Sequence, residues 1–199
     1  MNQEILVLYY SHYGATKKLA QFIARGIESV PGVSARLRTV PKVSTLCEQV
    51  AAEIPESGSP YVSNADLAEC IGLALGSPVR FGNMAASMKY FWDNTSNEWL
   101  SGTLIAKPAC VFTSSSSLHG GQEACLLSMM LPLLHHGMCL IGLPYSNSEL
   151  VSTTSGGTPY GVSHVAGANS DNEISREEKI LALAQGKYLA EIAVKLCQS

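Results

Sequence analysis

A chain of 199 residues with 13 Lys and Arg against 16 Asp and Glu carries a formal net charge of −3 and has a pI near 5.9. Such a surface has no basic face to neutralise a phosphate backbone, so no nucleic-acid partner is expected. No apolar stretch reaches the roughly 18–20 residues that a membrane span requires, and the length suits one domain burying about two-thirds of its unfolded surface.

The predicted elements alternate strand and helix. The first strand, 4–10, holds the apolar run Ile5-Leu6-Val7-Leu8-Tyr9-Tyr10 and is entered directly from Asn2-Gln3-Glu4 with no secretory leader, so a cytoplasmic location is expected. It runs into Ser11-His12-Tyr13-Gly14-Ala15-Thr16, a tight turn that opens a helix near 14–29. That turn gathers free backbone N–H groups, the positive end of a helix dipole and two hydroxyls, which together suit a phosphate. The same residues also make an ordinary N-capped connection with no ligand. No G-x-G-x-x-G and no G-x-x-x-x-G-K-[ST] occurs, so dinucleotide and triphosphate loops are excluded and a mononucleotide such as FMN remains.

The second strand, 33–40, alternates polar and apolar residues as an edge strand does. Residues 41–65, with Pro41, Pro55, Gly58 and Pro60, read as an inserted loop or short helix. A third strand at 70–77, a helix near 84–98, a fourth strand at 108–114, a helix near 121–135 and a fifth strand at 138–145 follow. A Ser-, Thr-, Gly- and Asn-rich excursion spans 146–173, and a final helix is expected from about 174 to 197 with Ile180, Leu181, Ala184, Tyr188, Ile192 and Leu196 making one buried stripe. Four near-continuously apolar strands between helices predict an α/β fold: a doubly wound, five-stranded parallel sheet, order 2-1-3-4-5, helices on both faces, one domain over 1–199. The six cysteines show no C-x-x-C and no metal-ligand spacing, which fits reduced thiols.

In such a sheet ligands bind beyond the carboxyl ends of the strands. The third-strand turn, Ser77-Pro78-Val79-Arg80-Phe81-Gly82-Asn83, offers an aromatic, a cation and a rigid bend. The fourth, Thr113-Ser114-Ser115-Ser116-Ser117-Leu118-His119-Gly120-Gly121, is dense in hydroxyl and N–H donors. An isoalloxazine ring needs apolar flanks and polar partners along one edge, and these two turns supply both. Each also reads as a plain loop, with Phe81 a packing residue. His135 and His136 before Gly137 also suit a helix C-terminus, and Trp99 also suits interface packing.

These motifs, with Gly120-Gly121-Gln122-Glu123, Leu134-His135-His136-Gly137-Met138 and Gly156-Gly157-Thr158-Pro159-Tyr160-Gly161, closely resemble the WrbA family of NAD(P)H:quinone oxidoreductases over essentially the whole chain. The resemblance implies a flavodoxin-like fold, non-covalent FMN, NADH or NADPH as co-substrate, a quinone as acceptor, and a homotetramer (a dimer of dimers) with sites near subunit junctions. It further implies that Ser11, His12, Tyr13, Gly14, Ala15 and Thr16 hold the FMN phosphate, and that Pro78, Val79, Arg80, Phe81 and Gly82 line the ring. Ser114, Ser115, Ser116, Ser117, Leu118, His119 and Gly120 would contact the ribityl chain and ring edge. His135 would approach the flavin from a neighbouring subunit, while Tyr13 and Trp99 would meet nicotinamide and quinone. No protein nucleophile or paired catalytic carboxylate is implied; hydride passes to quinone in a ping-pong relay.

Two departures from the family pattern stand out. Ser116, Ser117, Leu118 and His119 occupy a turn that is usually glycine-rich, so the backbone is either strained there or differently shaped, and Val79 replaces a threonine. The competing readings are a one-electron FMN carrier of the flavodoxin type and a scaffold that has lost its flavin.

Overall fold

The computed structural model describes residues 3–43, 55 and 58–197. Six strands form one parallel sheet: β1 Gln3–Tyr9, β2 Val33–Thr39, β3 Gly72–Pro78, β4 Pro108–Ser115, β5 Cys139–Leu140 and β6 Val162–Val165. Their order is β2-β1-β3-β4-β5, the order that the hydrophobic pattern predicts, with β6 added alongside β4. Alternate residues of β1 face opposite ways, so the sheet has two cores. Ile5, Val7 and Tyr9 pack with helices α1 (Ala15–Glu28) and α7 (Arg176–Cys197). Helix α7 buries Leu181, Ala182, Gln185, Leu189, Ala190 and Ala193 rather than the expected stripe, of which only Leu181 is buried, because the close crossing at Gly186 turns its small-residue side to α1. Leu6 and Leu8 pack with α2 (Asn64–Glu69), α3 (Ala86–Asp93) and α5 (Gln122–His135).

The predicted fifth strand at 138–145 is only partly a strand. Cys139 and Leu140 pair with Pro108 and Ala109, and Ile141 N–H still donates to Ala109 O at 2.8 Å. The chain then turns away, and Leu143 N–H donates to Pro159 O instead. The upper half of β4 pairs with β6, from Phe112 opposite Val162 to Ser115 opposite Val165. Gln185 of α7 bridges the gap: its amide donates to Val111 O at 3.0 Å and its carbonyl accepts from Val162 N–H at 2.8 Å. The excursion at 146–173 therefore carries a short helix α6 (Glu149–Ser152) and a sixth strand. Pattern alone misses β6, because two of its four residues, Ser163 and His164, are polar yet buried.

The predicted helix near 84–98 is two helices, α3 and α4 (Ser96–Leu100). Asn94 and Thr95 break it: the Asn94 amide donates to Tyr90 O at 2.7 Å and the Thr95 hydroxyl to Trp92 O at 2.8 Å, competing with the helix ladder. Most of the insertion expected at 41–65 lies outside the described residues. Its far end opens α2, where Ser63 and Asp66 close a capping box.

Two contacts tie the periphery to the sheet. Arg36 of β2 pairs with Glu4, with Asp66 at 3.1 Å and with Glu69 at 2.8 Å, while Arg38 reaches Asp66 at 3.1 Å. Burial pushes the Asp66 carboxyl up, but the bonds from Ser63 and the charge of Arg38 outweigh it and hold it below the usual carboxylate range. On the other face α7 crosses α1 backbone to backbone. A Cβ on Gly26 would stand 2.1 Å from Leu183 O, and one on Gly186 would stand 2.0 Å from Ile23 O, so neither position admits a side chain.

Candidate functional site

The carboxyl ends of β1, β3 and β4 meet at a cavity of about 490 Å³. Its first wall is the turn after β1. Gly14, with φ of 91°, is the N-cap of α1 and provides no capping side chain. Lys18 N–H makes the first intrahelical bond, to Gly14 O at 2.9 Å, so the N–H groups of Ala15, Thr16 and Lys17 have no acceptor within the helix. The contrast with the fully capped six-residue α2 is informative: here a long helix leaves its positive end open toward a cavity. Ser11 Oγ accepts from Gly14 N–H at 3.1 Å, which fixes the turn, and Thr16 Oγ1 shares a 2.8 Å hydrogen bond with Ser114 Oγ of β4.

The second wall follows β3. Arg80 and Asn83 exchange backbone hydrogen bonds at 2.8 and 3.0 Å around Phe81 and Gly82, whose φ values are 52° and 76°. Two positive φ values in succession define a type I′ reversal, which normally takes Asn or Gly at both positions. Phe81 occupies the first of them and is 105% exposed, so the protein tolerates strain to present an aromatic ring to solvent at the cavity rim. Ser77 braces the turn from below, its hydroxyl accepting from Ala85 N–H at 2.8 Å and its carbonyl from the Thr113 hydroxyl at 2.7 Å.

The third wall follows β4. Ser115 Oγ donates to Ser117 O at 2.8 Å, and the Gln122 amide donates to the same carbonyl at 3.0 Å. No residue from Ser114 to His119 has a positive φ; the left-handed position falls on Gly121, with φ of 90°. The serine-rich turn is thus differently shaped rather than strained. A Cβ on Gly121 would come within 3.4 Å of Gly82 Cα, so the second and third walls abut there.

Of the residues singled out from sequence, Ser11, His12, Tyr13, Ala15, Thr16, Pro78, Val79, Arg80, Phe81, Ser114, Ser115, Ser116 and Gly120 line this cavity. Gly14 and Gly82 shape its turns without lining it, and Ser117 braces it through its carbonyl. Leu118 faces a separate cavity of about 290 Å³. His119 lies on the exposed outer side of the turn. Sequence reading missed a fourth wall, Ala166, Ala168 and Ser170, brought in when Ala166 N–H donates to Ser115 O at 2.7 Å. The only signal for it was the small-residue run around Gly167, which resembles any loop.

Trp99 and His135 come together elsewhere. Trp99 Nε1 donates to His135 O at 2.9 Å, and both line a cavity of about 440 Å³ that shares no residue with the first. His136, beneath them, meets Thr95 Oγ1 at 3.0 Å; since that hydroxyl donates to Trp92 O, His136 Nε2–H is the donor. Burial pushes His136 down, and neighbouring His135 adds to this against the pull of Glu98, so its imidazole is neutral near pH 7. Burial pushes the thiols of Cys110 and Cys125 up to about 12 and about 11, leaving them unreactive. Among the described residues no three His, Cys, Asp or Glu side chains gather as a metal site.

The family model described as NADPH-dependent FMN reductase matches residues 4–150. The chain belongs to this family. Two relatives named NAD(P)H dehydrogenase (quinone) are similar over nearly full length. The Chromohalobacter salexigens protein is 41% identical, with 97% of this chain and 98% of the relative covered. The Geobacter sulfurreducens protein is 39% identical, with 96% and 98% covered. A flavodoxin-type, WrbA-like protein from Agrobacterium tumefaciens shares the fold with a TM-score of 0.67 at 23% identity, covering 97% of this chain and 98% of that one. Within the FMN reductase family the chain thus stands with the relatives named NAD(P)H dehydrogenase (quinone), and the motifs from Ser11 to Gly161 run through both its matched and its C-terminal parts.

Proposed function

We propose that this chain holds FMN in the cavity at the ends of β1, β3 and β4 and works as an NAD(P)H:quinone oxidoreductase. The observation that carries the reading is the open N-terminus of α1, enclosed by the turns after β3 and β4 in one cavity of about 490 Å³, a size ordinary for a small-molecule site. The donor set fits the cofactor. At one end stand the N–H groups of Ala15, Thr16 and Lys17 with the hydroxyls of Ser11 and Thr16, suited to a phosphate without an arginine clamp. The hydroxyls of Ser115 and Ser116 suit a polyol chain, and Pro78, Val79 and Phe81 suit an aromatic ring.

When bound, FMN would accept hydride from NAD(P)H and return two electrons to a quinone. The protein's part is placement. The α1 dipole and uncapped amides hold the phosphate, and the 2.8 Å Thr16–Ser114 bond fixes the spacing between that end and the β4 turn. Tyr13 and Phe81, both exposed, line the cavity, where a nicotinamide and a quinone would dock in turn, as a ping-pong scheme requires. Arg80, at the same rim, would favour anionic character inside.

The remaining parts of the reading concern assembly. The outer side of α5 exposes Leu127, Leu131 and Leu134 in one stripe, near exposed Trp99, Leu100 and Ile105, which suits self-association. In a homotetramer His135 and Trp99 would complete a neighbour's site. A single domain, and a cytoplasmic address for a chain whose five described cysteines are free thiols, belong to the same reading.

The test is direct. Purified protein should be yellow, release FMN on denaturation, and oxidise NADH or NADPH only when benzoquinone is added. Flavin binding without two-electron turnover would point to a carrier, and failure to take up FMN would sink the proposal. Light scattering on the same sample reads the assembly.

A further inference from the structure

The fourth wall of the cavity, Ala166 to Ser170, is held in a conformation that its own sequence does not favour. Ser170 has a φ of 57°. Serine meets the same Cβ crowding there as other L-residues, and glycine, asparagine or aspartate is the usual occupant. Asn169 and Asp171 stand on either side, yet the left-handed position falls on the serine. Among the described residues three that are not glycine have a positive φ, and two of them, Phe81 and Ser170, line this one cavity. Strain of this kind persists where the surrounding structure over-determines it, and it gathers at ligand clamps.

The surroundings of Ser170 do over-determine it. Before the loop, Val165 N–H donates to the buried Glu178 carboxylate at 3.2 Å and Ala166 N–H donates to Ser115 O at 2.7 Å. Beyond it, Asn172 N–H donates to Ala166 O and the Asn172 side-chain amide donates to Val165 O, both at 3.0 Å. Between these anchors Ser170 N–H closes a turn onto Gly167 O at 3.1 Å. The Asn172 side chain fills the middle of the loop, where a Cβ on Gly167 would stand 2.9 Å from it. What the loop offers the cavity is a side chain. Ser170 is half-buried, and its hydroxyl has no hydrogen-bond partner among the described residues, whereas Ser11, Ser114 and Ser115 of the other walls use theirs.

The place of the loop indicates which part of a ligand it meets. It leaves β6, which lies on the far side of β4 from β3, and it returns along α1, where Glu173 pairs with Lys18 at 3.2 Å. Thr16, at the cavity end of the same helix, is joined to Ser114 of β4 at 2.8 Å. Ser170 therefore belongs to the end of the cavity where α1 opens, away from the ring-lining turn after β3. We propose that Ser170 is a phosphate-binding residue: its hydroxyl donates to the phosphate monoester seated at the N-terminus of α1. This rests on the FMN reading and adds a residue to that site. A hydroxyl suits the task, because a hydrogen bond to a phosphate oxygen is charge-assisted. The acidic neighbours leave room for an anion, since Glu173 is paired with Lys18 and Asp171 is exposed to water.

Two substitutions separate the hydroxyl from the backbone. Ser170→Ala keeps the strained φ and removes the hydroxyl, while Ser170→Gly removes the hydroxyl and relieves the strain, so it folds at least as readily as the wild type. In fluorescence titrations of flavin-free protein, both should weaken FMN binding by at least about tenfold, as loss of one hydrogen bond to a charged group does, and leave riboflavin binding unchanged. The phosphorus NMR line of bound FMN should shift in Ser170→Ala, a signature that altered packing of the wall alone does not give. An equal loss for FMN and riboflavin, no loss of FMN in Ser170→Ala, a loss confined to Ser170→Gly, or an unshifted phosphorus line would overturn the proposal and leave FMN binding standing. Absence of FMN binding by the wild type would instead remove both this proposal and the cofactor reading.

Discussion

Phe81 is held at φ of 52°, a conformation that an L-aromatic adopts only at a cost, and its ring makes no core contact in return. The strain has its purpose only if the ring acquires a partner. Phe81→Gly should therefore raise thermal stability, by about 1 kcal/mol or roughly 2–4 °C in Tm for a chain of this size. It should also weaken FMN binding about tenfold through lost aromatic burial, read by fluorescence titration. A variant that gains stability and keeps its affinity would show that the ring is not a flavin flank. Asp66 is a residue of the opposite kind, strained by nothing and bonded on every side. Because its folded pKa is depressed, it contributes stability above the unfolded carboxylate value of about 3.9, and that contribution fades as pH falls through and below that value. Asp66→Asn should lower Tm at pH 7 and flatten its decline between pH 5 and 3 in calorimetric scans.

At the scale of elements, α1 serves both chemistry and architecture: its first turn opens on the cavity while its last turns press on α7. Gly186→Ala puts a methyl on the Ile23 carbonyl, and the two helices must separate. A loss of about 1–3 kcal/mol follows, a fall of several degrees in Tm, with the cavity-lining turn at the far end of α1 unaltered. Elements also explain how much could be read from sequence. Strands β1, β3 and β4 are covered on both faces, and their unbroken apolar runs made the sheet order and the three turns that enclose the cavity legible. The split edge strand was not legible, because Gln185, a side chain on a helix, supplies the bonds that a longer strand would have made. The fourth wall at Ala166 to Ser170 escaped for the same reason, being placed by β6 and Glu178 rather than by any local pattern. The break between α3 and α4 lay in two side chains, Asn94 and Thr95, that a helical periodicity passes over. His135 and Trp99 were each singled out, but that they meet each other, in a cavity apart from the three turns, rests on a side chain-to-backbone bond that no sequence pattern marks.

The whole molecule divides its labour between the two faces of one sheet. One face, under α3 and α5, ends in an exposed leucine stripe; the other, under α1 and α7, is closed on itself. That closure joins the first helix to the last. Ala20 and Ile23 share one core cluster with Leu181, Leu189 and Ala190 of α7. On the ribosome, β1 and α1 emerge well before α7 and wait with an apolar face bare until it is made. Contacts of such long sequence separation also slow folding. The close crossing of α1 and α7 at Gly26 and Gly186 therefore forms late, and the turn that opens α1 gains its firm base only once α7 has been made.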